Sequence, residues 1–213
     1  MTLWLFVSDV HGRGDRLARV LAAGRDAGVD RIVSLGDTGA GGALQLLREA
    51  EALCAFGNWE ASVLKGLPRE DRNWVGRWPQ QMALDGFVAA HASPAWPAGL
   101  QIAGVVDHLR ANDLHWTHLF PSLHSSPAAR SGAFDLLGRL GTRIFFHGHT
   151  HLQEAWRMEG EDAPALAAGP VLEVGDGAWW LVGVGSAGDP RDGGGAAYAI
   201  YDSALRQVEW RRA

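Results

Sequence analysis

Three histidines stand close together at the end of one short apolar run. The run Ile144–Phe146 leads into His147, His149 and His151, with Gly148 after the first of them. Side chains two residues apart on an extended chain point the same way, so His149 and His151 are expected to face one point, and Gly148 is expected to allow a tight turn. Neutral imidazoles are natural ligands for borderline divalent cations. The pattern favours a metal site over the simpler interpretation, a buried strand with polar residues at its end.

The same pattern recurs at the ends of four other predicted strands. The residues are Asp9 and His11 after Leu3–Val7, Asp37 after Arg31–Leu35, Asn58 after Ala52–Phe56, and His91 after Phe87–Ala90. Open α/β sheets bind ligands at the carboxyl ends of their strands. Each residue alone also has a structural explanation, as a helix cap, a turn residue or a buried histidine with a carbonyl partner. Five strand ends favour a metal site, and this many N and O ligands suit two adjacent ions that share a carboxylate rather than one tetrahedral zinc.

The bulk composition limits the class of protein. The chain has 213 residues, of which 47% are hydrophobic, a formal net charge of −5 and one cysteine, Cys54. These values predict one globular α/β domain and argue against non-specific binding to nucleic acid or anionic membranes. Cys54 lies in an apolar run and is interpreted as a buried thiol, which suits the cytoplasm. The N-terminal run Met1–Val7 lacks basic residues and predicts a first strand rather than a signal peptide or membrane span.

Periodic segments predict the elements that must hold these residues in place. Helical spacing predicts four helices, at Asp15–Ala27, Ala43–Glu51, Ala61–Leu67 and Ser131–Leu140. Three C-terminal strands are predicted at Trp179–Val184, Ala196–Tyr201 and Arg206–Trp210, the last of them an edge strand. The segment 96–130, rich in histidine, is interpreted as an insertion or lid beside the site. Residues 1–213 contain no internal repeat or linker and are predicted to form a single domain.

The motifs follow one another in a recognisable order. They are Asp9-Val10-His11, Gly36-Asp37, Gly57-Asn58-Trp59-Glu60, His91 and Gly148-His149-Thr150-His151. This order resembles that of the calcineurin-like metallophosphoesterase superfamily over about the first three quarters of the chain. The glycine-rich segment 185–193 is similar to a C-terminal segment of its small prokaryotic, phosphodiesterase-type members.

The resemblance implies a fold, a cofactor and a reaction. The fold would be a four-layer αββα sandwich of two mixed sheets flanked by helices. The resemblance assigns Asp9, His11 and His151 to one divalent cation, Asn58, His91 and His149 to a second, and Asp37 to both; Asp37, Asn58 and His91 form its catalytic set. Manganese is the expected assay metal, with iron, zinc, nickel and cobalt as alternatives. A hydroxide bridging the two metals would hydrolyse a small phosphate ester, nucleotide-like esters included.

One position departs from the family pattern. Trp59 stands where most members have a histidine that assists the leaving oxygen. Indole is not an acid near neutral pH, so esters with poor leaving groups should suffer most, and the departure favours phosphodiesters. Trp59 is also a candidate to stack on an aromatic part of the substrate, and simple packing is the alternative. The replacement acid, if there is one, would be His115, His118 or His124.

Several alternatives stay open. Arg191 is a candidate phosphate-binding residue, or it forms a salt bridge with Asp189 or Asp192. His147 precedes the family motif and carries no ligand role. A phosphomonoesterase, a protein phosphatase and a diadenosine tetraphosphatase are the alternative enzymes, and a catalytically silent metal-binding scaffold is the alternative of another class. The sequence leaves the oligomeric state open.

Overall fold

A computed structural model describes residues 2–84, 86–160, 162–167 and 169–213. Their twelve strands are, in chain order, β1 Leu3–Val7, β2 Arg31–Ser34, β3 Leu53–Cys54, β4 Gln81–Leu84, β5 Phe87–Ala90, β6 Ile144–His147, β7 Gln153–Met158, β8 Ala165–Ala167, β9 Val171–Glu173, β10 Trp179–Val184, β11 Ala197–Asp202 and β12 Gln207–Arg212. They form two six-stranded mixed sheets. Sheet 1 has the order β3-β2-β1-β11-β12-β9, and sheet 2 has the order β4-β5-β6-β10-β7-β8.

Helices cover the outer faces of the sheets. The α-helices of the described residues are α1 Gly14–Asp26, α2 Gly42–Glu49, α3 Asn58–Val63, α4 Arg69–Val75, α5 Val105–Ala111 and α6 Pro127–Leu140, and short 3₁₀ turns lie at Leu64–Gly66, Ile102–Gly104 and Trp116–His118. None of these helices is long and apolar enough to span a bilayer.

Side chains that alternate between the two faces of each strand pack the sheets against each other and against the helices. In β1, Trp4 and Phe6 point to the inner face and belong to the core cluster shared by both sheets, whereas Leu5 and Val7 point outward. The ring of Phe6 stacks on that of Phe146 from sheet 2, with centroids 4.0 Å apart. Alternate residues of a strand face opposite sides, so one short apolar run supplies two cores. The predicted αββα sandwich is confirmed.

Each outer face has its own helical cover. Leu5 and Val7 pack in one cluster with residues of α1 and α2, such as Leu17 and Leu44. On sheet 2, residues of β5, β6 and β10 pack against α6, as Phe145 does with the cluster that contains Phe134. Cys54 is buried in the first of these clusters, as predicted.

Strand predictions succeeded where an apolar run is buried on both faces. β1, β5 and β10 have the predicted bounds, whereas the predicted strand Ala52–Phe56 contracts to β3, Leu53–Cys54. The prediction that the last strand lies at an edge was wrong, because β12 pairs with β11 on one side and with β9 on the other. The strands β4, β7, β8 and β9 and the helices α4 and α5 were not predicted.

The segment 96–130 is structured and contributes to the core. It contains two of the 3₁₀ turns, α5 and the start of α6. Ile102, Val105, Leu109, Leu119 and Phe120 are buried in the same cluster as the helices that cover sheet 1. Its role as a lid stays a prediction.

Candidate metal centre

The backbone at the strand ends is left-handed rather than extended. Asp9, His11, Asp37, His149 and His151 have φ between 49° and 63°. These five are among eight non-glycine residues with positive φ in the described chain, and each such residue costs about 1 kcal/mol or more. The expectation that His149 and His151 converge through strand alternation was therefore wrong. They converge because tight turns beyond the strands aim them, and strain of this kind concentrates at functional sites.

The first group of candidate ligands comes from the ends of β1 and β6. The Nε2 atoms of His11 and His151 lie 3.2 Å apart, and Asp9 Oδ1 lies 3.8 Å from the first and 3.3 Å from the second. His151 Nδ1 donates a hydrogen bond to the carbonyl oxygen of Asp189 at 2.7 Å. Since a carbonyl only accepts, Nδ1 carries a proton, and this bond orients the ring so that Nε2 faces the group.

The second group comes from the ends of β2, β3, β5 and β6. His91 Nε2 lies 3.1 Å from Asn58 Oδ1, 3.2 Å from His149 Nδ1 and 3.6 Å from Asp37 Oδ1. The other ring nitrogen, Nδ1, donates to the carbonyl oxygen of Leu35 at 2.8 Å, so Nε2 again faces the group. All seven predicted ligands therefore lie in two adjacent groups. Single donor atoms of Asp9, Asp37 and His91 also lie within 4.8 Å of one another, which joins the groups.

Glu60 holds the two loops that carry Asp37 and Asn58. Its buried carboxylate accepts hydrogen bonds from the backbone N–H groups of Asp37 at 2.8 Å, Thr38 at 2.6 Å and Gly57 at 2.8 Å. Burial, and then the charge of Asp37, raise the pKa of Glu60 to about 7 against these three bonds. The sequence motif contains Glu60 but indicated no role for it, since its partners are backbone groups that only the fold brings together.

Burial and neighbouring charges shift the pKa values of Asp9 and His149. Burial alone would raise the pKa of the Asp9 carboxyl, but the nearby imidazoles of His151 and His91 outweigh it and hold that pKa well below its usual range. Burial, followed by the charge of His91, lowers the pKa of His149 to about 3. Asp9 is thus ionised and His149 neutral near neutral pH, the forms in which these side chains bind metals.

These donors fit divalent cations. Asp9 Oδ1 is buried and has no hydrogen-bond donor aligned with it. Unpartnered buried carboxylate oxygens are costly, and here the nearest groups are the Nε2 atoms of His151 and His11. A mixture of carboxylate, amide and imidazole ligands suits first-row divalent cations without selecting one of them.

The comparison with known families settles the class of protein. A model of the calcineurin-like phosphoesterase superfamily domain matches residues 1–204. The chain belongs to the calcineurin-like phosphoesterase superfamily. Members of this superfamily are divalent-metal phosphoesterases, and the two ligand groups described above provide candidate positions for the metals. No curated protein matches the sequence.

Solved structures share the calcineurin-like fold. A metallophosphoesterase from Sphaerobacter thermophilus aligns with a TM-score of 0.75 at 23% identity, over 99% of this chain and 88% of that one. A novel archaeal phosphodiesterase aligns with a TM-score of 0.53 at 12% identity, over 98% of both chains. At these identities the likeness supports the fold.

An open cavity of about 550 Å³, the central cavity, exposes the calcineurin-like site to solvent. Among its lining residues are five of the candidate ligands, together with Arg13 and Arg191. The salt bridge considered for Arg191 does not form among the described residues, because Asp189 lies beside His151 and Asp192 pairs with Arg212. Arg13 was missed; its only sequence signal is its place directly after the Asp9-Val10-His11-Gly12 motif.

Trp59 lies beside the centre without lining the central cavity. The indole is half-buried and packs against the core cluster of sheet 1, while the backbone N–H donates to Asp37 Oδ1 at 2.7 Å. This placement favours packing over stacking on a substrate. His115, His118 and His124 are exposed and do not line the central cavity either, so none of them stands where the missing family histidine would act.

His147 is the last residue of β6, and its ring stacks on that of Phe145, with centroids 5.9 Å apart. It is fully buried, its Nδ1 lies 3.0 Å from the carbonyl oxygen of Gly148, and burial lowers its pKa. A core position agrees with the interpretation that it carries no ligand role.

Gly148 allows two strand ends to touch. The chain turns tightly here, as predicted, since the N–H of Thr150 donates to the carbonyl oxygen of Gly148 at 2.7 Å, although the φ of Gly148 is not left-handed. A Cβ atom at this position would collide with Ser8 Oγ and Asp9 Oδ2, where the turn after β6 crosses the turn after β1. The neighbouring N–H of His149 donates to the same Asp9 Oδ2 at 2.9 Å, which needs that close approach.

We expect Gly148→Ala to separate the turns after β1 and β6. The variant should lose about 1–3 kcal/mol of stability through overpacking, and it should bind Mn²⁺ at least about tenfold more weakly because Asp9 is displaced. Urea unfolding and metal titration measure both effects. Gly132→Ala is the matched control: nothing lies near a Cβ there, in the interior of α6, so it should gain about 0.5–1 kcal/mol. An unchanged Mn²⁺ affinity in Gly148→Ala would contradict the argument.

Proposed function

We propose that this protein hydrolyses small phosphodiesters with two divalent cations held by Asp9, His11, Asp37, Asn58, His91, His149 and His151. The observation that carries the proposal is the convergence of these side chains in two adjacent groups, five members of which line the central cavity. Two adjacent cations would supply an acidified water and neutralise charge on the phosphoryl oxygens.

The chain's own residues supply orientation and charge. The carbonyl oxygens of Asp189 and Leu35 fix the rings of His151 and His91. Such partners orient the ligating nitrogens and increase their basicity. Arg13 and Arg191 line the central cavity, where a guanidinium is well suited to bind the oxygens of a phosphate.

The preference for diesters is supported by the absence of a free acid. Apart from proposed ligands, the described side chains of the central cavity are two arginines and Asp189, which lies beside His151. Trp59 is half-buried against the core cluster of sheet 1 and does not line the central cavity, so it offers no proton donor to the leaving oxygen. Since general acid catalysis contributes about 10²–10⁴-fold, esters whose leaving groups need no protonation should be favoured.

Paired assays of bis-p-nitrophenyl phosphate and p-nitrophenyl phosphate test the proposal. Metal-stripped protein should be inactive, and added Mn²⁺ should restore turnover, with the diester cleaved at least about tenfold faster than the monoester. Faster cleavage of the monoester would overturn the diester preference and favour the phosphatase alternative. Bound Mn²⁺ without turnover of either ester would favour the scaffold.

A further inference from the structure

A second cavity of about 440 Å³ lies near the centre and has no part in the proposed chemistry. We call it the α5 groove, because it lies between α3 and the C-terminal end of α5. Its lining includes Ser62, Leu109, Arg110, Asp113, Leu114 and Trp116.

Helix α3 connects the central cavity with the α5 groove. Asn58 lines the first and Ser62 lines the second, and the two residues stand four apart in the same helix. Side chains at this spacing share a helix face and lie about 6 Å apart along the axis. α3 also packs against α5, which forms the opposite wall of the groove. A molecule with its phosphate beside Asn58 therefore needs to extend by only one helical turn to enter the groove.

An aromatic ring provides a second connection. The ring of Trp116 lies 5.8 Å from that of Phe120, measured between centroids. Phe120 in turn lies 5.9 Å from the ring of His91 and 6.5 Å from the ring of His149, both proposed metal ligands. Only the side chain of Phe120 thus lies between Trp116 and the metal centre. The α5 groove is therefore adjacent to the centre both along α3 and through this ring.

The lining of the groove combines an apolar wall with two free charges. Leu109 is buried, and Leu114 and Trp116 are half-buried, so they present apolar surface to the groove. Arg110 and Asp113 are exposed, and neither forms an ion pair with another described residue. Indole faces stack on nucleobases, a guanidinium reinforces stacking, and a carboxylate accepts hydrogen bonds from the N–H groups of a base.

We propose that the α5 groove binds the nucleobase of a nucleotide phosphodiester whose phosphate occupies the central cavity. The inference rests on the proposed phosphodiesterase function and names its substrate class. A phosphodiester carries two organic groups, so one of them lies in the groove while the other faces solvent. Trp116 stacks on the base, and Asp113 accepts a hydrogen bond from it.

Two esters with the same leaving group test this assignment. The p-nitrophenyl ester of thymidine 5′-monophosphate should have a kcat/KM at least about tenfold above that of methyl p-nitrophenyl phosphate, since stacking contributes about 1–3 kcal/mol. Trp116→Ala should lower the ratio of these two kcat/KM values about tenfold, and Asp113→Asn should lower it by a smaller factor. Trp179→Ala is the control: this tryptophan packs in the cluster beneath α6, and its loss should not change the ratio.

A binding measurement separates failure of this inference from failure of the proposed function. Calorimetry on the Mn²⁺-loaded protein should give tighter binding of thymidine 5′-monophosphate than of methyl phosphate, and Trp116→Phe should retain most of the difference. Turnover of both esters with equal kcat/KM, or a ratio of the two kcat/KM values that Trp116→Ala leaves unchanged, would overturn nucleobase binding in the α5 groove. Either result would leave the proposed phosphodiesterase function standing. If neither ester is turned over, the proposed phosphodiesterase function fails. In that case tighter binding of thymidine 5′-monophosphate that depends on Trp116 would still support nucleobase binding in the α5 groove, whereas equal binding of thymidine 5′-monophosphate and methyl phosphate would overturn it.

Discussion

Replacing Asp37 with asparagine is expected to abolish metal-dependent hydrolysis while the fold persists. Asparagine has the same shape, and its Oδ1 can still accept the hydrogen bond that Asp37 Oδ1 now accepts from the N–H of Trp59 at 2.7 Å. What is lost is a negative charge between the two ligand groups. Since metal ions contribute several kcal/mol to a phosphoryl transition state, the loss of one should lower kcat by about a thousandfold or more.

The measurement is steady-state hydrolysis of bis-p-nitrophenyl phosphate with Mn²⁺, beside metal titration and thermal unfolding of the same variant. Asp135→Asn is the matched control, because Asp135 is an exposed residue of α6, outside the central cavity. It should retain full activity. An Asp37→Asn variant that keeps its turnover would exclude a bridging role for this carboxylate. A wild-type protein that binds Mn²⁺ but shows no turnover would favour the catalytically silent scaffold.

The sequence predicted the strand ends well because each is marked by an abrupt change of polarity. A run such as Leu3–Val7 is apolar on both faces, since Trp4 and Phe6 pack between the sheets and Leu5 and Val7 pack under helices. A strand with this environment can stop only where the chain leaves the core. The first polar residues after it therefore lie beyond the carboxyl end of the strand, where Asp9 is found.

Pairing between distant segments was not predictable in the same way. β12 alternates like a strand with one free edge, yet Val171–Glu173 pairs with it and occupies the edge of sheet 1. Segments of three residues such as β8 and β9 carry too little pattern to be recognised, and their pairing depends on partners elsewhere in the chain. The same holds for the segment 96–130, whose buried residues match a surface that exists only after sheet 1 has formed its helical cover.

Within the site, ligand identity was predictable and backbone geometry was not. The sequence presents His149 and His151 as a pair, but nothing in their spacing distinguishes an extended segment from two left-handed residues with φ of 63° and 62°. Arg13 and Glu60 were missed for a related reason. Arg13 reaches the central cavity from the loop after β1, and Glu60 acts on backbone N–H groups that belong to two separate loops.

Glu60→Gln is expected to loosen both of these loops at once. The buried Glu60 carboxylate is the acceptor for the backbone N–H groups of Asp37, Thr38 and Gly57. A glutamine presents one oxygen and one NH₂ group, so at least one backbone N–H loses its acceptor and faces another donor. A buried donor without a partner costs about 1–3 kcal/mol. Because Asp37 and Asn58 stand beside these groups, Mn²⁺ affinity should also fall about 10–100-fold.

Urea unfolding of metal-free protein and Mn²⁺ titration separate the two consequences. Glu70→Gln is the control, since Glu70 is an exposed carboxylate paired with Arg48 at 2.6 Å. Its loss should change stability by less than about 0.5 kcal/mol and leave Mn²⁺ affinity unchanged. If Glu60→Gln loses stability but binds Mn²⁺ as the wild type does, Glu60 supports the fold without positioning the ligands. A loss of both would show that the backbone of the ligand loops is held in place by one buried carboxylate that touches no metal.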